Sequence, residues 1–308
     1  MAFNSIIDRQ GAEALMPEDA AREIITHMPE GSVVMRMGRR LPNMTRAQRR
    51  LPVLSALPIA YFVGEAPDKT GYASYKQTTE LSWANKYLDA EEIAAIVPIP
   101  ESVLDDADYD IWGETRPLLV EALGRVFDAA VLYGTNAPAA WPDDILTAAT
   151  AAANTVARGT GADLYDDLLG EAGVISKVEE DGFLVSGHIG AMAMRAKLRG
   201  LRSGEGVPIF TRSMQEGNRY ELDGSPIEFP RNGVLDPAKS LLVSGAFSEL
   251  VWAMRTDITT KLLTEAVITD PSDSNKIIYN LAQQDMVALR VTMRIAWQVP
   301  NPINRVQE

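Results

Sequence analysis

The chain has 308 residues, 46% of them hydrophobic, with 29 Lys and Arg against 42 Asp and Glu, a net charge of −13 and no cysteine. That length supports about two ordinary domains with a packed core, and the lack of cysteine excludes disulfides, thiolate metal sites and thiol nucleophiles. No run reaches the roughly 18 apolar residues of a membrane-spanning helix, the opening eight residues lack the basic-then-apolar layout of a signal peptide, and the negative balance opposes general attraction to a polyanion.

In chain order, residues 1–30 mix short apolar runs with Pro17 and Pro29, and the clearest local signal is a helix over 18–26. Residues 32–37 predict a short strand. Between Glu30 and Glu65 there is no acidic residue, while Arg36, Arg39, Arg40, Arg46, Arg49 and Arg50 all fall there. Pro42 and Pro52 disfavour helix at the residues before them, so this basic arm is expected to be extended. Residues 58–63, the polar turn-rich 64–71 and the strand-like 72–83 predict a long hairpin with a polar tip.

An acidic stretch from Glu101 to Asp106 opens a helical region. From Ile111 to Leu132, apolar residues such as Leu119, Leu123, Val126, Phe127 and Val131 recur at three- and four-residue spacing, which predicts the longest amphipathic helix of the chain. Pro117 inside it must kink the helix or begin its second part, and Gly134 is a natural stop. Residues 163–172 and 188–201 predict two helices around a short strand at 183–186, in a separate α/β lobe. Residues 204–237 are dense in Gly and Pro, with short strands at 208–211 and 226–229, and another strand is expected at 240–244. The strongest strand signal is 285–299, where Val287, Leu289, Val291, Met293, Ile295, Trp297 and Val299 alternate with a mixed set. At about 3.3 Å per residue it would span roughly 50 Å, far beyond an ordinary strand.

Motifs for chemistry are weak. His27 and His188 lie far apart without ligand-like spacing. The run Asp105-Asp106-Ala107-Asp108-Tyr109-Asp110 is similar to a calcium loop, but Pro117 stands where a loop opened at Asp106 needs its bidentate Glu, so a dipole-favoured helix start is the better reading. Gly159-Thr160-Gly161 and Gly204-Glu205-Gly206 lack the lysine and the βαβ setting of a phosphate loop and read as turns. No Gly-x-Ser-x-Gly occurs, and Glu179 with Glu180 reads as solvated surface. No catalytic, cofactor or metal residue is assigned. The six arginines could bind nucleic acid or lie across acidic surfaces of neighbouring copies. The lack of interleaved aromatics favours the second. A cytosolic enzyme with an α/β core is the rival from another class, and monomeric behaviour would favour it.

Several segments carry a resemblance. Trp83-Ala84-Asn85-Lys86-Tyr87-Leu88 running into Ile93-Ala94-Ala95-Ile96-Val97-Pro98-Ile99-Pro100-Glu101-Ser102-Val103-Leu104-Asp105-Asp106, then Asp110-Ile111-Trp112, the long helix and Leu132-Tyr133-Gly134-Thr135-Asn136-Ala137-Pro138, resembles the tailed-bacteriophage major capsid protein family. The second half is similar to the same family at 198–206, at Leu222-Asp223-Gly224-Ser225-Pro226-Ile227, at Gly245-Ala246-Phe247-Ser248 and at Asp285-Met286-Val287-Ala288-Leu289-Arg290.

The resemblance implies an α+β fold of Hong Kong 97 type. Its parts would be an N-terminal arm (1–45), an extended β-hairpin loop (46–80), a peripheral domain built from a spine helix region (81–134) and long strands (251–300), an axial α/β domain (135–250) and a C-terminal segment (301–308). It implies a head protein, not an enzyme, that assembles into pentamers and hexamers of an icosahedral shell around the DNA genome. Expected partners are other copies, a separate scaffolding protein, a portal, a decoration protein and packaged double-stranded DNA held by non-specific contact, with no cofactor and no membrane. Assembly would take place in the host bacterial cytoplasm and the product would be the virion capsid. The chain enters the arm directly from Met1, so no maturation cleavage is expected. Intersubunit contacts are expected from Arg36, Arg39, Arg40, Arg46, Arg49, Arg50, Asp68, Lys69 and Lys76. A covalent link from Lys69 or Lys76 to Asn275 or Asn280, as some members of the family form, is set aside because scattered Lys and Asn are ordinarily plain surface. An encapsulin-like nanocompartment shell, which resembles the same fold, is the alternative function.

Overall fold

The computed structural model describes residues 31–56, 82–105, 110–201, 220–270 and 273–300. The expected helix at 18–26, the strands at 58–63 and 208–211, the hairpin tip and most of the strand at 72–83 lie outside them, as do His27, Asp68, Lys69 and Lys76. The first part of the chain forms α1 (Val33–Met37), β1 (Arg39–Arg40), β2 (Gln48–Ala56), β3 (Ser82–Asp89), β4 (Glu91–Pro100), α2 (Glu101–Asp105) and α3 (Ile111–Tyr133). There follow α4 (Ile145–Ala151), α5 (Leu164–Leu169), α6 (Val174–Glu180), β5 (Gly187–Gly190), α7 (Met192–Gly200), β6 (Tyr220–Leu222), β7 (Ser225–Glu228) and β8 (Leu242–Gly245). The last strands are β9 (Val251–Leu263), β10 (Val267–Asp270), β11 (Asp273–Asn280) and β12 (Met286–Gln298).

The larger sheet has the order β1-β9-β12-β4. β12 follows the alternation read from the sequence as far as Trp297: Val287, Leu289, Val291, Met293, Ile295 and Trp297 are all buried, whereas Val299 lies past the strand and is exposed, and Ala288 and Ala296 of the other face are buried too. Leu289 through Trp297 share one core with Leu119, Leu123, Phe127, Ala130 and Val131 of α3, each large side chain contributing about 1.5–3 kcal/mol by leaving water. Trp141 meets Phe127 and Trp297 edge-on, with ring centroids 5.9 and 6.4 Å away. β12 pairs antiparallel with β4 from Met286↔Pro100 to Ile295↔Glu91, and antiparallel with β9 through an irregularity between Thr292 and Ile295. β9 carries Thr256, Asp257, Thr259, Thr260 and Lys261 in its second half, so no apolar alternation announces it; pairing to β12 holds it extended. Helix α3 continues through Pro117, and Gly134 ends it at φ 63° with its N–H bonded back into the last turn.

Residues 32–37, expected as a strand, form α1 instead. Ser32 caps the helix by accepting from the Met35 N–H at 3.0 Å, and the buried Asp128 of α3 accepts from Val33 N at 2.9 Å, Val34 N at 3.2 Å and the Ser32 hydroxyl. A tertiary acceptor for the first helical N–H groups outweighs the strand preference of Val33 and Val34, both of which are fully buried in the main core.

The second sheet has the order β6-β7-β5-β8 and packs Ile227 and Leu222 against Leu168, Met194 and Leu198. The short strand expected at 183–186 lies instead at Gly187–Gly190, and the helix expected from His188 begins at Met192. The reason is close packing: a Cβ on Gly187 would stand 2.4 Å from the Met37 methyl, and one on Gly190 2.8 Å from the Phe229 ring. Central strand β5 is glycine-bounded because its neighbours leave no room, and glycine is a poor strand former by composition alone. The expected helix at 163–172 is shorter, Leu164–Leu169, and α4 and α6 were not anticipated because short helices in Ala- and Thr-rich or charged sequence lack a clear period. Gly159-Thr160-Gly161 is a turn, and the N–H groups of both glycines donate to Asp167 at 2.7 Å, which holds that carboxyl below its usual range.

His188 is buried in β5, with Nδ1 2.8 Å from the Ser244 hydroxyl and Nε2 3.2 Å from the Leu222 carbonyl. Burial lowers its pKa below the usual 6.5. The unfolded chain therefore binds a proton that the folded chain refuses, and stability should fall as pH drops below about 6.5. Urea unfolding between pH 7 and pH 5 should show that loss, and His188→Asn should flatten the slope.

Candidate functional site

The arginines of the basic arm divide into two groups. Arg36 pairs with Glu228 at 3.6 Å on the surface, a contact of little energetic weight. Arg40 lies over the Trp252 ring at 5.4 Å and donates to Asn43 Oδ1 at 3.3 Å. Arg49 donates to the carbonyls of Pro42 and Asn43 at 2.8 and 3.0 Å, stapling the turn between β1 and β2. Arg39, Arg46 and Arg50 are exposed and carry no ion pair or side-chain hydrogen bond among the described residues. The arm is extended as expected: β1 runs parallel to β9, and the Leu41 and Met44 N–H groups continue the ladder to Trp252 and Met254 at 2.8 Å.

Strands β2 and β3 pair antiparallel from Gln48↔Asp89 to Ala56↔Ser82. Directly opposed residues share a face, so Leu54 with Trp83, Pro52 with Asn85 and Arg50 with Tyr87 form one side. The other side carries Leu88, which is fully buried with Met44, Ala253 of β9 and Ala296 of β12 in the larger sheet. The first side is bare: Trp83 is 60% exposed and Tyr87 44%. A two-stranded ribbon with an uncovered aromatic face is marginal in water and calls for a partner surface. The hairpin of β10 and β11 repeats the situation, with Val267 52% and Ile277 58% exposed.

Among the described residues the buried titratable groups serve the structure. Asp128 holds α1, Asp167 holds the 159–161 turn, and His188 joins β5 to Ser244 and Leu222. Among the described residues no three His, Asp or Glu side chains stand together as a metal site, and no helix is long and apolar enough to cross a membrane. A half-open cavity of about 450 Å³ lies under α4, α5 and α6, with a mainly aliphatic wall that includes Leu146, Leu164, Val174 and Val178. Sequence reasoning missed Asp128 and the Trp83 face. Both left a trace: a lone carboxylate within the apolar stripe of α3, and two aromatics four residues apart on a strand.

The phage capsid family model matches residues 12–304 of the chain. The chain is 23% identical over 297 residues to the major capsid protein of Staphylococcus phage 80alpha, covering 96% of this chain and 85% of that one. Its fold is similar to a solved chain of Microbacterium phage Oxtober96, with TM-score 0.80, 38% identity and coverage of 96% and 93%. A chain of Mycobacterium phage Cain is also similar, with TM-score 0.81, 30% identity and coverage of 98% and 95%.

Proposed function

This chain belongs to the phage capsid family, and we infer from that membership that it works as the major capsid protein of a tailed bacteriophage, a structural protein of the virion shell. The observation that carries the reading is the match to the family along nearly the whole chain, joined to similarity of the α+β fold with phage chains over 96–98% of its length. An encapsulin-like nanocompartment shell is not favoured by these relatives. The uncovered faces of the two hairpins fit a subunit whose burial is completed by its neighbours.

Within this reading the fold is of Hong Kong 97 type. Residues 1–45 act as an arm, 46–80 as an extended loop, 81–134 and 251–300 as a peripheral domain, 135–250 as an axial domain and 301–308 as a C-terminal segment. The arm and the hairpin clasp neighbours within pentamers and hexamers, and weak contacts add through multivalency. Arg39 of the arm and Arg46 and Arg50 at the start of the loop are the cations of this basic stretch most available to acidic surfaces of other copies, since Arg36, Arg40 and Arg49 have partners within the chain. Scaffolding protein, portal, decoration protein and packaged double-stranded DNA complete the set of partners, and assembly takes place in the host cytoplasm.

The test is velocity sedimentation with electron microscopy of the protein expressed alone and with the scaffolding candidate from its genome. Rings or closed shells support the reading. A small monomer under every condition overturns it. Replacing Arg39, Arg46 and Arg50 together by Gln should lower the assembled fraction several-fold and weaken its salt dependence, with subunit unfolding unchanged.

A further inference from the structure

One face of the larger sheet is sealed by α3. The opposite face is covered at one end, where Leu88 and Met44 pack with Ala253 and Ala296, and the register decides what the rest of it exposes. Ile96 of β4, Arg290 of β12 and Lys261 of β9 stand in one row directly opposite one another. Further along, Arg294 is paired with Glu92, at 2.6 Å from Nη2 and 2.8 Å from Nε. Arg290 has no such partner. It faces Lys261, a like charge in the position where cross-strand pairs interact most strongly, and neither has an ion pair or hydrogen bond among the described residues. Both are exposed, and Ile96 beside them is 43% exposed. In a chain with 42 acidic residues against 29 basic ones, two opposed cations left without a carboxylate mark a surface shaped for something outside the subunit.

The same subunit carries the complement. β4 runs straight from Pro100, opposite Met286, into α2, so α2 stands just past the end of that strand. Glu101 and Asp105 are exposed there with no ion pair among the described residues, and Val103 between them is 49% exposed. Arg290 lies four residues along β12 from Met286, about 13 Å at roughly 3.3 Å per residue. A basic row beside an exposed isoleucine and an acidic end around an exposed valine therefore follow one another along β4, both exposed.

Such a patch is complementary to itself. When two copies meet about a two-fold axis, each residue that contacts another is repaid by the same contact in reverse. We propose that this exposed row and the neighbouring α2 form a two-fold contact between copies of the chain, in which Lys261 and Arg290 of one subunit receive Glu101 and Asp105 of the other while Ile96 packs on Val103. The proposal rests on the shell reading only for the presence of neighbouring copies.

Charge reversal tests it, because a self-complementary contact broken on one side is restored by reversing the other. Lys261→Glu with Arg290→Glu should cut the assembled fraction by about tenfold or more, and so should Glu101→Lys with Asp105→Lys. All four changes in one chain should return assembly to within about threefold of the parent. Thermal unfolding of each purified subunit serves as the folding control, and should a reversal fail to fold, Lys261→Gln with Arg290→Gln replaces it, with an expected loss of about threefold. Either pair assembling like the parent, or the fourfold variant remaining as defective as the pairs while folded, overturns the contact. A parent that forms no shells or capsomers overturns the shell reading and this contact with it. A parent that assembles while both pairs also assemble overturns the contact alone.

Discussion

Replacing Asp128 by alanine should lower the unfolding free energy by about 4 kcal/mol and release residues 31–37 from α3. Asp128 is fully buried and accepts from the Ser32 hydroxyl and from the Val33 and Val34 N–H groups. Removing the carboxylate leaves those donors in an apolar core, and each buried unsatisfied donor costs about 1–3 kcal/mol. Solvent cannot easily fill the gap, because α1 lies so close to α3 that a Cβ on Gly124 would stand 3.0 Å from Ser32 N. Urea unfolding together with hydrogen exchange at Val33 and Val34 measures the loss, and a change under about 1 kcal/mol would mean that Val33 and Val34 hold α1 without the carboxylate.

The same residue sets a dependence on pH. Burial pushes Asp128 up from 3.8 to about 6, opposed by its hydrogen bonds from Ser32, Val33 and Val34 and by the charge of Arg36. Between these values the folded chain binds more protons than the unfolded chain. This group's contribution should therefore decline as pH rises from about 4 to 6, by up to about 3 kcal/mol, and stay level above that window. Asp128→Asn should remove that slope. His188 acts in the opposite direction, since it favours the higher pH, so the two variants separate the two contributions.

Trp83→Asp should abolish assembly while leaving the subunit folded. In the isolated subunit this tryptophan is 60% exposed, so its loss should move the unfolding temperature by less than about 2 °C. Buried against a neighbour, a tryptophan of this kind is worth about 2 kcal/mol or more at each contact, and the loss repeats at every subunit of a shell. The assembled fraction read by sedimentation should drop by well over tenfold. Trp83→Phe, which keeps an apolar ring, should recover most of it. Assembly of Trp83→Asp at the parental level would show that this hairpin face stays in water.

Sequence alone exposed those elements whose pattern is strong and whose neighbours are few in kind. The α3 stripe and the β12 alternation are long enough for their periods to be plain, and Gly134 and Pro138 mark the end of the helix without ambiguity. Residues 33 and 34 read as strand because what decides their conformation is the carboxylate of Asp128 in α3, 95 residues after Val33. Gly187 and Gly190 misled because strand β5 is selected by the space that Met37 and Phe229 leave, not by propensity. The clustering of arginines was legible, yet its division into Arg36, Arg40 and Arg49 with internal partners and Arg39, Arg46 and Arg50 without was not, since it depends on where Trp252, Asn43 and Glu228 come to lie. Strand pairing across β4, β12 and β9 likewise placed Lys261 opposite Arg290, which no linear pattern could reveal.

The most direct test of the account is a reconstruction by electron microscopy of particles assembled from this chain. It should reveal a closed shell built from repeated copies, with α3 and the β9-β12-β4 sheet recognisable in each subunit and the Trp83 side of the β2-β3 hairpin buried against a neighbouring copy. Particles built from other proteins with this chain absent from the shell lattice, or a chain that stays monomeric at all concentrations, would contradict it.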